Sequence, residues 1–300
     1  DREGTSYTAE GGWYNSDKMR FRSGNAEKIG GWIKYSVSTF LGTARSLYNY
    51  AAAIGTHYLG IGTNLKFYVA DGVTYNDVTP IRDTNTGTAT FTCTSGSSTV
   101  SVTDSSNGAV QNDFVTFSSA ATLGSSNITS TVLNQEYQIA DITSTNVYTI
   151  VAKDTDGDEV TADASVSGGG GGSTVAAYQI NTGLDEYVSG SGWGTGAWSA
   201  GGFGSATSLD DTNQLRLYSQ DNFGDDLIFC PRLGGIYYWD QSSGVSTRAV
   251  AFSSLGSASN TPTKCLQIMV SDIDRHIIAF GSNAIGSSTL DPLLVRWSDQ

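Results

Sequence analysis

Three stretches of this chain repeat one pattern of apolar and polar positions. A short apolar run gives way to a small-residue turn, and an aromatic-rich run then ends on Asp. His57-Tyr-Leu-Gly-Ile-Gly-Thr-Asn-Leu-Lys-Phe-Tyr-Val-Ala-Asp71 is the first instance, and Asp226-Leu-Ile-Phe-Cys-Pro-Arg-Leu-Gly-Gly-Ile-Tyr-Tyr-Trp-Asp240 is the second. The third is looser, running from His276-Ile-Ile-Ala-Phe-Gly281 to Leu293-Leu-Val-Arg-Trp-Ser-Asp299 with a longer connection. Each predicts a β-hairpin that cannot bury its apolar face alone. Repeated hairpins of this kind stack radially in β-propellers, where neighbouring blades cover one another. The pattern therefore predicts a scaffold before it predicts chemistry.

Other segments carry different patterns. In Lys18-Met-Arg-Phe-Arg22 the alternation puts Lys18, Arg20 and Arg22 on one face and Met19 and Phe21 on the other, a half-buried strand. Its basic face would meet phosphate or, more commonly, solvent and acidic neighbours. Residues 40–54 fit a short helix through Ala51–Ala53, or a strand through Tyr48, Tyr50 and Ile54; a strand is expected. Residues 87–167 run in short Thr/Val/Ser strands such as Thr99–Thr103 and Val147–Ala152, separated by turn signals at Asn107-Gly108 and Asp156-Gly157. They predict a small β-sandwich or barrel inserted between blades. Gly168–Gly172 reads as a flexible linker. A Gly/Trp loop over 183–204, anchored by Trp193, Trp198 and Phe203, suits an interface between subunits.

The expected fold class is all-β, with propeller-like blades, partial or contributed to a larger propeller, around the inserted domain. Its parts are an N-terminal segment with the first hairpins (1–86), the inserted β-domain (87–167), a Gly-rich linker (168–177) and further blades (178–300). A chain that starts at Asp1 and stops directly after a strand is expected to continue beyond Gln300.

Composition sharpens this picture. Four prolines and 36 glycines favour strands and turns. Only 15% of residues are charged, while Tyr and Trp number 15 and 6, so either a contact surface or a Ser/Thr-clad exterior is expected. The net charge of −13 is uneven: +1 over residues 1–86, −8 over 87–176 and −6 over 177–300. That balance excludes nucleic-acid binding through a broad basic patch. It leaves an acidic wall along which DNA slides, or acidity serving solubility. Cys93, Cys230 and Cys265 lack metal-ligand spacing and read as buried free thiols, suited to assembly in a reducing cytoplasm. No run approaches the ~20 apolar residues of a membrane span.

Candidate chemistry is sparse. Asp154, Asp156 and Asp158, with Glu159, surround Gly157 as a weak cation loop would, but they occupy the position of a hairpin turn. His57 and His276 start equivalent hairpins, which points to structural bonds to a neighbouring blade. No nucleophile elbow, P-loop or dinucleotide fingerprint is present. Paired carboxylates for glycoside cleavage could come from Asp210-Asp211, Asp225-Asp226 or Asp272 and Asp274. Asp272 and Asp274 are more simply turn formers before Arg275. No catalytic residue, cofactor or resident metal is expected.

Several phrases together resemble the tail nozzle or hub proteins of short-tailed bacteriophages. They are Glu10-Gly-Gly-Trp-Tyr14, Met19-Arg-Phe-Arg22, Glu27-Lys-Ile-Gly-Gly-Trp32, Gly60-Ile-Gly-Thr63 and Asp77-Val-Thr-Pro80. Later ones are Ser219-Gln-Asp-Asn-Phe-Gly224, Gly235-Ile-Tyr-Tyr-Trp-Asp240, Asp274–Gly281 and Asp291–Gln300. The resemblance covers most of residues 10–82 and 178–300. It implies a virion structural protein, assembled in the host cytoplasm, that forms a hexameric β-propeller ring at the end of the tail tube. Such a ring stacks on an adaptor or gatekeeper ring, carries fibres or a needle, and lines the DNA exit channel without sequence-specific binding. It helps retain packaged DNA. The family brings no catalytic residues. Only three blade hairpins are visible here, whereas a closed propeller uses roughly four or more. Trp13, Trp32, Trp193, Trp198 and Phe203 are the candidate subunit-interface residues. The alternative is a receptor-binding tail protein that binds or cleaves carbohydrate on exposed aromatic residues.

Overall fold

The computed structural model describes residues 17–31, 33–53, 55–72, 74–124, 126–186, 215–256, 258–271 and 273–299. Asp1–Val37 and Ser38–Gln300 form two separate units. In the first, β1 (Met19–Arg22) and β2 (Asn25–Lys28) pair as a hairpin across Ser23 and Gly24, both at positive φ. Arg20 pairs with Glu27 across it at 3.0 Å. Phe21, expected to be turned inward, is 39% exposed.

The second unit opens with an antiparallel meander of β3 (Ala44–Ala51), β4 (His57–Thr63), β5 (Phe67–Asp71) and β6 (Thr74–Asp77), in that order. Of the strand expected over residues 40–54, Ala44–Ala51 forms β3, and Ile54 lies outside the described residues. A second meander follows later, β16 (Tyr218–Phe223), β17 (Asp226–Pro231), β18 (Tyr237–Trp239) and β19 (Val250–Ala251). The third has β20 (Cys265–Val270), β21 (Ile277–Ser282) and β22 (Val295–Trp297). The repeated sequence phrase is the same piece each time: the second and third strands of a blade-like meander.

Between the first two meanders lie β7 (Ile81–Thr86), β8 (Thr90–Cys93), β9 (Thr99–Thr103), β10 (Phe114–Ser118), α1 (Ser130–Leu133), β11 (Glu136–Gln138), β12 (Asp141–Ser144), β13 (Val147–Val151), β14 (Val166–Gly169) and β15 (Val175–Gln179). They form two sheets, ordered β11-β10-β15-β7 and β12-β13-β9-β8-β14. Every second residue of β9 and β13 is buried, the period of strands with one face on a core. Phe91, Val102, Tyr148 and Ile150 from one sheet meet Val115, Phe117, Ala176 and Tyr178 from the other. At the centre the Tyr148 and Tyr178 hydroxyls lie 2.9 Å apart, and Tyr178 donates to Asp104 at 2.7 Å.

The glycine run at 168–172 does not behave as the linker its composition suggested. Gly169 pairs with Phe91 in a bulged ladder. Gly170 adopts φ +104°, and a Cβ there would sit 2.4 Å from the Phe91 ring. Glycine is needed because the bulge requires a left-handed backbone pressed on an aromatic ring. The insertion thus runs from β7 through β15.

The three meanders stack in series. Tyr50, Tyr58, Phe67 and Val69 of the first pack on Leu227, Phe229 and Trp239 of the second. Phe67 and Phe229 stack at 3.7 Å between ring centres. The other face of the second, Ile228 and Cys230, packs on Cys265, Ile268, Ile277 and Ala279 of the third. Leu227, Ile228, Phe229 and Cys230 are all fully buried because β17 is covered on both sides.

Candidate functional site

The first strands of the meanders are joined by polar side chains of β16. Gln220 donates to Ser46 on β3 at 2.6 Å, and Ser219 accepts from the Ile268 amide on β20 at 3.0 Å. Asp221 does both: one carboxylate oxygen accepts from the Tyr48 hydroxyl at 2.9 Å, the other from the Val270 amide at 2.8 Å. One carboxylate therefore touches all three meanders.

The sandwich is held to the meanders by an ion quartet. Lys66, in the β4–β5 turn, has a side chain only 4% exposed. It pairs with Asp77 at 2.8 Å and with Glu136 of β11. Arg248, from the second meander, completes the ring to Asp77 at 3.4 Å and Glu136 at 3.2 Å. Burial pushes the Asp77 carboxyl up, but Lys66 and Arg248 outweigh it and hold the group below its ordinary value. Nothing in the sequence groups the four, since they meet only through the packing of three separate sheets.

Among the described residues, the third meander leaves its outer face partly exposed, with Ile278 and Phe280 half-buried along its middle strand. Its ladder aligns Met269 with Ile278 and Trp297, and Gln267 with Phe280 and Val295. Directly paired residues share a face, so these six form two cross-strand rows with no charge. Met269 and Val295 are each 43% exposed and Trp297 is 73% exposed. Ile285 and Leu293, in the β21–β22 connection, are also exposed, and Ile285 lines the adjoining cleft with Trp297. The matching outer face of the first meander differs: Phe40 lies over it, with ring centres 5.9 Å from Tyr68 and 5.1 Å from Tyr75. The sequence did carry a signal. Cys265–Val270 and Ile277–Phe280 are apolar at nearly every position, as strands are when both faces serve as contacts.

Beside this face a cleft of about 530 Å³ runs between the second and third meanders, lined by Phe223, Phe252, Pro262, Ile285, Arg296 and Trp297. Arg296 is tied to the carbonyls of Asn283, at 3.0 Å, and Asn260.

A second, more polar cleft of about 770 Å³ is lined by Asp225, Asp226, Tyr238, Asp240 and Arg275. Its carboxylates are engaged within the chain. Asp226 accepts from the Tyr238 hydroxyl at 2.5 Å and the Gln241 amide at 2.9 Å. Asp240 accepts from the Ser242 amide and from both the Ser242 and Ser243 hydroxyls, and Asp225 accepts from the Ala53 amide. Burial, then Asp226, holds the Tyr238 phenol above its ordinary value.

The remaining sequence candidates are placed as follows. Asp154 accepts from the amides of Asp156 and Asp158 at 3.0 and 2.9 Å, closing a hairpin turn. Among the described residues no three His, Cys, Asp or Glu side chains are grouped to hold a metal ion. The His276 ring nitrogen Nδ1 lies 2.7 Å from the Ser298 carbonyl, a bond inside its own meander rather than to a neighbour. His57 is exposed at the start of β4. Asp274 sits in a turn closed by the Arg275 amide on the Ser271 carbonyl at 2.8 Å. Trp13, Trp32, Trp193, Trp198 and Phe203, together with Asp210, Asp211 and Asp272, lie outside the described residues. No helix among the described residues is long and apolar enough to cross a membrane.

No protein-family model matches the chain, and no curated protein matches it. Among solved structures, the chain is similar to a phage phi92 endosialidase at 15% identity and a TM-score of 0.27, over 84% of this chain and 37% of that one. The chain thus spans little more than a third of that protein. A TM-score this low does not establish a shared fold.

Proposed function

We propose that this chain is a building part of a bacteriophage tail, of the nozzle or hub kind, and not an enzyme. The observation that carries the reading is the partly exposed apolar face of the third meander, which among the described residues ends a stack whose other interfaces are sealed by aromatic and aliphatic packing. A soluble chain rarely leaves such a continuous apolar patch without a partner. The engagement of Asp225, Asp226 and Asp240 by turn donors supports the same reading, because it assigns those carboxylates to holding loops in place. The resemblance of its sequence phrases to nozzle and hub proteins supplies the virion setting of this proposal. In it the chain forms a ring with its own copies, six by that resemblance, joins other tail components and presents an acidic surface to passing DNA. Native mass spectrometry of the full chain tests this. A closed assembly of fixed copy number is expected, and a monomer at all concentrations would overturn it.

One observation favours a second reading. Trp297 stands exposed at the mouth of the 530 Å³ cleft beside Arg296, an arrangement suited to stacking a sugar ring. A receptor-binding tail protein would bind glycans there. Glycan-array binding lost in Trp297→Ala would favour that reading over the first.

A further inference from the structure

Cys230 and Cys265 are 35 residues apart in sequence, and both are fully buried. Cys230 lies on β17 of the second meander and Cys265 on β20 of the third, with their sulfurs 3.0 Å apart. That is closer than two unbonded sulfurs normally rest. The backbone fixes this approach. The Cys265 amide donates to the Gly234 carbonyl at 2.9 Å, and the Leu233 amide donates to the Cys265 carbonyl at 2.8 Å. The loop leaving Cys230 is therefore latched onto Cys265. Among the described residues, the Cys230 thiol faces the Cys265 sulfur and the carbonyls of Pro231, Gly234 and Cys265, and the Cys265 thiol faces the carbonyl of Gly234. Cys93 is buried in the sandwich core, next to the Ala164 carbonyl. Of the three possible pairings, the fold brings one together.

We propose that Cys230 and Cys265 are a cross-linking site, closed to a disulfide by a low-molecular-weight disulfide such as oxidised glutathione. One cysteine thiolate attacks the reagent and releases one thiol, leaving a mixed disulfide. The other cysteine then attacks the protein-side sulfur and releases the second thiol. The two cysteines lose two electrons and two protons, and the reagent gains both. In the folded chain burial and the neighbouring Cys265 hold the Cys230 thiol well above its ordinary value, so little thiolate is present and no reagent has access. Closure therefore belongs to folding or to transient opening of the meander interface. Once made, the link fastens the third meander to the second. This inference rests on the pair's geometry and stands whether or not the chain is a tail component.

The test refolds the full chain from denaturant in a glutathione redox buffer and, in parallel, in excess reductant. Each sample is then alkylated in denaturant and analysed by intact mass and peptide mapping. In the oxidised sample one alkylated thiol is expected, at Cys93, with Cys230 and Cys265 linked. Its thermal midpoint is expected roughly 5–15 °C above that of the reduced sample, an increase abolished by reductant. Three alkylatable thiols after oxidative refolding, a link or mixed disulfide involving Cys93, or a linked chain with no raised midpoint would each overturn the proposal. Cys93→Ser should leave the link unchanged, and the wild-type mapping decides the matter even if Cys265→Ser fails to fold.

Discussion

Single polar side chains hold the sheets of this molecule in register. Asp221 is the clearest case, since its two oxygens answer donors from the first and third meanders at once. Asp221→Ala removes both acceptors and leaves the Val270 amide unsatisfied at a sheet interface. A loss of about 2–4 kcal/mol is expected in urea unfolding, while Asp221→Asn, which keeps one acceptor oxygen, should lose less. Lys66 acts in the same way between the sandwich and the first meander. Lys66→Met leaves Asp77 to Arg248 and Thr79, and Glu136 to Arg248 and Gln179. Those carboxylates remain 24% and 30% exposed, so the cost falls below that of a fully buried pair, at about 2–3 kcal/mol. The quartet also sets an acid limit. The folded Asp77 carboxyl is held below its ordinary value, so its contribution is complete above about pH 4 and is lost as pH falls through the lower folded value. Asp113 works in the opposite direction. Burial raises its carboxyl despite four hydrogen bonds from Val110, Asn181 and Thr182, so its contribution is complete at low pH and lost as pH rises through the raised value. Urea midpoints measured from pH 7 down to pH 3 should therefore fall below about pH 4 in the wild type, and fall less in Lys66→Met.

At the scale of the element, the spacing between sheets is set by what is missing. β4 carries glycine at 60 and 62, on the face that meets β16 and β17. A Cβ at Gly62 would sit 2.4 Å from Cδ2 and 2.8 Å from Cγ of the Tyr218 ring, which is packed against Phe67 and Phe229. Gly62→Ala should destabilise by about 1–3 kcal/mol and weaken the near-ultraviolet circular dichroism of the packed tyrosines. These glycines could be read in the sequence as part of a repeated phrase, though not as spacers. Their meaning depends on distant residues, Gln220 and Leu227 for Gly60 and Tyr218 for Gly62. The hairpins themselves were legible, because apolar runs, small-residue turns and terminal aspartates are local signals. The five-glycine run was misread for the complementary reason. Composition marks flexibility, but Phe91 supplies the ladder partner and the contact that turn Gly169 and Gly170 into a bulged strand. Likewise, Lys66, Asp77, Glu136 and Arg248 carry no local signal as a group, and Ser219–Asn222 was conspicuous in sequence before its bonding role was visible. The sequence pointed to Trp13, Trp32, Trp193, Trp198 and Phe203 as interface residues, which lie outside the described residues, whereas the cross-strand rows of the third meander needed the register to align them.

At the scale of the whole molecule, the described residues of the second unit form a series of layers whose last face is partly exposed. The central meander is covered on both sides, the first is capped by Phe40, and the third presents Met269, Ile278 and Trp297 in one row and Phe280 and Val295 in the next. The two faces of this last sheet make opposite demands on substitution. Ile268 points toward the second meander and is 3% exposed, so Ile268→Asp buries an unpaired charge and should unfold the chain. Met269 and Trp297 already meet water in the isolated chain. Replacing both with Asp should change its unfolding midpoint little, because no folded-state packing of comparable depth is lost. If copies of the chain meet through this face, the same two changes put like charges into an apolar contact and remove its largest aromatic residue. Association should then weaken by at least about a hundredfold, seen by sedimentation velocity over a concentration series. A double variant that assembles as the wild type does would move the subunit contact elsewhere on the molecule. A double variant that unfolds would mean the face is already part of the monomer's own core.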